Sequence, residues 1–119
     1  MARVLVVDDA EFMRVRAAKV LEEAGHVVVQ AENGHEAVKQ YTDWRPDAVL
    51  LDITMPEMDG LTALKEIRKI DPSARVAMVT AMGQQAIVME ALKSGARDFV
   101  LKPFQPERML AALQKLLAA

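Results

Sequence analysis

Asp8, Asp9, Asp52, Thr80 and Lys102 are the side chains of this sequence best placed to do chemistry together. Each follows a short apolar run: VLVVDD at 4–9, VLLD at 49–52, VAMVT at 76–80 and FVLK at 99–102. Taken alone, Asp8 and Asp9 read as helix caps, since a carboxylate accepts hydrogen bonds from the free N–H groups of a helix start. Capping explains any one aspartate, but not an acidic or small polar residue at the end of run after run. Brought together, three carboxylates repel unless a cation sits among them. All-oxygen ligation with positions left to water suits Mg²⁺. Once Lys102 and the metal are counted, the pocket can take a dianionic phosphoryl group. A carboxylate attacking phosphorus gives an aspartyl phosphate. Lysine and metal then neutralise the phosphoryl oxygens, and the Thr80 hydroxyl is placed to bond one of them. Asp8 and Asp9, being adjacent, suit a shared metal, which leaves Asp52 as the nucleophile.

Convergence of these residues requires a particular scaffold. Apolar runs at 3–8, 27–31, 48–51, 76–80 and 98–101 are continuous rather than alternating, as in parallel strands covered on both faces. Helical spacing fills the intervals. In the first helix Met13, Ala17, Val20, Leu21 and Ala24 share a face, and Gly25 stops it. The second runs from about Gly34 to Trp44 and halts before Pro46, and the third carries Leu61, Leu64 and Ile67. The fourth runs from Gln85 to Lys93 before Gly95, and the fifth starts at Pro106. Five strand–helix units predict a doubly wound α/β domain. Open parallel sheets bind ligands outside the carboxyl ends of their strands, where all five residues fall.

At 119 residues the chain is expected to form one domain. Its hydrophobic share of 52% is dispersed in short runs, so no membrane span is predicted. A net charge of -2 gives no global support for nucleic-acid binding, and zero cysteines exclude disulfides and thiolate chemistry. A cytoplasmic monomer is expected.

VLVVDDAEFMR, LLDITMPEMDG, VTAMGQQ and FVLKPF resemble the marker segments of response-regulator receiver domains. The resemblance spans the whole chain and is nearest to the short, stand-alone chemotaxis form. It implies a flavodoxin-like sheet of order 2-1-3-4-5 with five helices, and phosphotransfer from a histidine kinase to Asp52. It also implies Mg²⁺ held by Asp9 directly, Asp8 mainly through water, Asp52 and the Thr54 backbone carbonyl. Thr80 and Phe99 match a pair that rearranges on phosphorylation, and Lys102-Pro103 matches a bond that is cis in the family. The output partner implied is the flagellar motor switch. Such a protein is a signalling receiver rather than an enzyme, although it catalyses its own phosphorylation and dephosphorylation.

Other assignments compete less well. A flavin carrier of this topology wants a Ser/Thr/Gly-rich phosphate loop after the first strand, where DDAEF is acidic. A haloacid-dehalogenase-type phosphatase places a second acid two residues after its nucleophile, where this chain has Thr54, and needs a cap domain. A receiver excised from a transcription factor or phosphorelay protein is the nearer rival; the ending LQKLLAA, without a linker, favours a complete protein. His26 and His35 have no partner at ligand spacing and read as surface groups. Trp44 is expected to pack partly on the surface. Met82, two residues past Thr80, cannot orient an attacking water, so slow self-dephosphorylation is expected.

The output surface is expected where the fourth helix, fifth strand and fifth helix meet. Periodicity turns Ile87, Val88, Ala91 and Leu92 inward and Met89 and Lys93 outward. On the last helix it groups Met109, Leu110, Leu113, Leu116 and Leu117, leaving Arg108, Ala111 and Lys115 outside. The result is a small apolar patch of Met89 and Phe99 ringed by Lys93, Arg97, Arg108 and Lys115. Such a patch suits an acidic, partly apolar peptide.

Overall fold

The structure is a computed structural model and describes residues 1–53, 55, 58–81 and 85–118. The apolar runs form strands β1 (Arg3–Val7), β2 (Val27–Ala31), β3 (Ala48–Asp52), β4 (Val76–Thr80) and β5 (Asp98–Leu101). They alternate with helices α1 (Glu11–Glu23), α2 (Gly34–Trp44), α3 (Gly60–Ile70), α4 (Gln85–Lys93) and α5 (Pro106–Ala118). Neighbouring strands are parallel, in the order β2-β1-β3-β4-β5. The expected flavodoxin-like architecture is therefore present.

Alternation along each strand divides the core in two. Leu5, Val7, Val49, Leu51, Val76 and Met78 face one side, packed against α2, α3 and α4 through residues such as Ala37, Leu64 and Val88. Val4, Val6, Leu50, Ala77 and Val79 face the other side, with Leu21 of α1 and Leu113 of α5. Covering both faces explains why the strands are apolar throughout. Each fully buried leucine stabilises the fold by about 1.5–3 kcal/mol.

Local signals set the helix ends. Asn33 caps α2 by accepting the Glu36 N–H at 2.8 Å, and Asp59 caps α3 by accepting the Thr62 N–H at 2.8 Å. Gly25 and Gly95 adopt φ of 95° and 112° beyond α1 and α4, a region where glycine alone is unstrained. Before Pro46 the chain takes a less common route. Arg45 is left-handed at φ 50°, and its carbonyl accepts a hydrogen bond from the Arg3 guanidinium at 2.9 Å.

Helix periodicity overstates the buried arc of α4. Val88 and Ala91 face the sheet, whereas Ile87 and Leu92, expected inside, are 38% and 36% exposed. Ala91 allows a close approach over the margin of the sheet, and its bulkier flanking residues remain at the rim. Ala18 and Ala112 are buried as well, while Ala24, expected on the inner face of α1, is exposed because the helix ends at Glu23.

Candidate functional site

Parallel pairing brings the carboxyl ends of the strands to one edge. Asp8 follows β1 and donates its N–H to Ala31, at the end of β2, at 3.1 Å. Asp52 ends β3, and the next residue, Ile53, bonds to the Val79 carbonyl at 3.1 Å. Lys102 follows β5 and donates its N–H to the Thr80 carbonyl at 2.8 Å. These backbone bonds place the five residues around one pocket before any side chain acts.

Carboxylate oxygens of Asp8, Asp9 and Asp52 lie within 4.8 Å of one another, the only such acidic group of metal-binding geometry among the described residues. Asp8 and Asp52 are buried and Asp9 is exposed. Lys102 Nζ stands 2.8 Å from Asp8 Oδ2 and 3.2 Å from Asp52 Oδ2. Burial pushes the Lys102 ammonium toward neutrality, but its bond to Asp8 and the charges of Asp52 and Asp8 outweigh this and raise its pKa. It is a fixed cation at every ordinary pH.

Asp8 does not cap α1 in the usual sense. Ala10 is the capping residue and supplies no side-chain bond; Asp8 Oδ1 instead accepts the Ala10 N–H at 2.9 Å. The Asp8 carbonyl accepts from Arg14 Nη1 at 2.9 Å, an anchor that sequence reading missed. Asp8 is thereby held at four points, its N–H, its carbonyl and both carboxylate oxygens, and Asp9 is left facing solvent. One exposed and two buried carboxylates form an all-oxygen donor set with an open side, which fits a small hard dication that keeps some of its water.

The start of α3 lies tightly against the end of β3. Gly60 donates its N–H to the Ile53 carbonyl at 2.8 Å, and a Cβ at Gly60 would run into the Asp52 carbonyl. The Asp59-Gly60 turn therefore serves the site as well as starting α3. Thr54 and Met82 lie outside the described residues.

Thr80 is 1% exposed, and its hydroxyl donates to the Ala81 carbonyl at 3.2 Å. Met78 pairs with Phe99 across β4 and β5, so Thr80 lies two residues further along the same face. The half-buried Phe99 ring packs against the cluster on that face. Lys102-Pro103 is cis, as the sequence resemblance implied.

At the expected output surface Met89 is 56% exposed, and Lys93 and Lys115 are exposed while Arg97 is half-buried. Arg108 is exposed, on the outer side of α5 as expected, but it is engaged. Its guanidinium is not a free member of a cationic ring but pairs with Asp98 at 3.2 Å and also bonds the Phe99 carbonyl. The signal that could have found this pair is Asp98 itself, a charge opening an otherwise apolar strand. His26 departs from the surface reading, because its Nδ1 accepts the Ala2 N–H at 3.1 Å and ties β1 to β2. His35 is exposed, and Trp44 is half-buried under the Arg3 guanidinium, 5.0 Å from its ring centroid.

Residues 4–114 match the family model of the response regulator receiver domain. The chain is 55% identical to the chemotaxis protein CheY of Thermotoga maritima over 115 residues, covering 96% of each. The solved structure of CheY4 from Vibrio cholerae superposes with a TM-score of 0.93 at 33% identity, covering 98% of this chain and 99% of that one. NtrX from Brucella abortus superposes with a TM-score of 0.94 at 34% identity; the match covers 98% of this chain but 27% of NtrX. With this coverage and this acidic pocket, the chain belongs to the response regulator receiver domain family.

Proposed function

We propose that the chain is a chemotaxis response regulator that accepts a phosphoryl group from a histidine kinase on Asp52. The observation that carries this reading is the pocket itself, a buried aspartate beside a fixed ammonium and two further carboxylates. An Asp52 carboxylate oxygen attacks the phosphorus of a phosphohistidine. The P–O bond forms as the P–N bond breaks, and the leaving imidazole nitrogen takes its proton from solvent. Asp8, Asp9, Asp52 and the Thr54 carbonyl would hold Mg²⁺, which when bound supplies positive charge against the phosphoryl oxygens. Lys102 turns from its carboxylate partners to a phosphoryl oxygen, and Thr80 turns its hydroxyl from Ala81 to another.

Drawing Thr80 inward vacates space beside the half-buried Phe99 ring. The ring fills that space, and the population shifts between two packings that differ by a few kcal/mol. Phe99 lacks a phenolic hydroxyl, so the output is read by shape and apolar contact. The surface around Met89, Phe99, Lys93, Arg97 and Lys115 then docks an acidic, partly apolar segment. The flagellar motor switch, the partner that the sequence resemblance implies, is its owner on this reading, which similarity to a chemotaxis protein supports. The NtrX match supports a second reading, in which the same receiver controls an attached output domain.

The test is incubation with a small acyl phosphate, followed by intact mass. One phosphoryl group should be gained with Mg²⁺ and essentially none with a chelator; equal gain in both would overturn the reading.

A further inference from the structure

β5 is the last strand of the sheet, so one side of its backbone has no neighbouring strand. At Phe99 that backbone is engaged by a single ion pair. The Asp98 carboxylate Oδ1 accepts the Phe99 N–H at 2.8 Å, and Arg108 donates to the Phe99 carbonyl. Arg108 also bonds both Asp98 oxygens, Nη1 to Oδ2 at 3.3 Å and Nη2 to Oδ1 at 3.2 Å. Asp98 is buried, and its partner rises from the first turn of α5. One pair thus brackets the N–H and C=O of the residue whose ring is the proposed switch.

We propose that Asp98 and Arg108 form a latch that fixes the Phe99 backbone, so that the switch is rotation of the ring about a stationary strand. This deepens the functional reading above and rests on its assignment of Phe99. The geometry favours a latch over an incidental surface bridge. Surface pairs join two side chains, whereas this one also spends a donor and an acceptor on the main chain of one residue. A planar guanidinium can reach a carboxylate and a carbonyl at once; a lysine ammonium in its place lacks that fork. Residues 99 and 108 belong to different elements, so the latch also fixes β5 against the start of α5. Ring movement is then delivered to the docking surface rather than absorbed by sliding of the strand.

Amide exchange and ring spectra test this without a partner protein. Asp98→Ala, which removes the acceptor of the Phe99 N–H, should speed exchange of that amide about tenfold, the scale of one lost charge-assisted bond, and Arg108→Ala, which frees the carboxylate to move, should speed it less, while the Val100 amide keeps its wild-type rate. Arg108→Lys should fall between wild type and Arg108→Ala. In Arg108→Ala, a labelled Phe99 ring should sample more than one environment before any phosphoryl mimic is added, whereas wild type shows one. Unchanged Phe99 exchange in both variants, or acceleration spread evenly over β5, overturns the latch. A wild-type ring that ignores beryllofluoride with Mg²⁺ contradicts the switch assignment instead, and the exchange rates still decide the latch.

Discussion

Lys102 Nζ lies 3.2 Å from Asp52 Oδ2 and closer still, at 2.8 Å, to Asp8. The ammonium occupies carboxylate oxygens that a dication bound there would use, so on the proposed function the two cations would compete before phosphorylation and cooperate afterwards. Lys102→Met should therefore bind Mg²⁺ more tightly in calorimetric titration, since a like charge has gone. The same variant should accept a phosphoryl group roughly 10²-fold more slowly, having lost charge stabilisation. Weaker Mg²⁺ binding would contradict this arrangement.

Thr80 is buried at the end of β4 with its hydroxyl on the Ala81 carbonyl. Thr80→Ala should still be phosphorylated at Asp52 but should lose most of the phosphorylation-dependent gain in partner affinity. Wild-type affinity of the phosphorylated variant, measured by fluorescence anisotropy with an acidic partner peptide, would reduce Thr80 to a strand-end residue.

Lys93 is exposed in the last turn of α4. Lys93→Glu should weaken binding of an acidic partner several-fold at low salt and flatten its salt dependence, because screening then has less attraction to remove. Arg108 is a poor site for that experiment, since reversing its charge would also release Asp98. Binding and salt slope unaffected by Lys93→Glu would move the partner off this face.

The sheet was legible because its strands are buried on both faces and so read as unbroken apolar runs. The pocket was legible for a related reason, since Asp52, Thr80 and Lys102 interrupt those runs at their carboxyl ends. What escaped depends on tertiary register. Nothing local tells Ile87 and Leu92 that α4 approaches the sheet along Val88 and Ala91. The Asp98–Arg108 pair spans ten residues and two elements, and the His26–Ala2 bond joins neighbouring strands. Periodicity assigns faces but not partners.

Burial pushes the Asp98 carboxyl up, but bonds from Arg108 and the Phe99 N–H, with the charges of Arg108 and Lys115, hold it below the usual range. A depressed carboxyl contributes stability that is present above the unfolded value near ~3.9 and is lost as pH falls through the folded value. Arg108→Ala should cost about 1–2 kcal/mol in urea unfolding at pH 7, and less at a pH low enough to protonate the folded carboxyl. An equal cost at both pH values would mean the pair is not the source of the stability.

Asp52 as the sole phosphoacceptor is the central claim, and site-resolved mass spectrometry after acyl-phosphate treatment and borohydride reduction tests it most directly. In the presence of Mg²⁺, wild type should carry the reduced mark on Asp52 alone. Asp52→Ala should show no rapid modification, and Asp9→Ala should be modified slowly at the same residue. A mark on Asp8 or Asp9 in wild type, or full-rate modification of Asp52→Ala, would contradict the account.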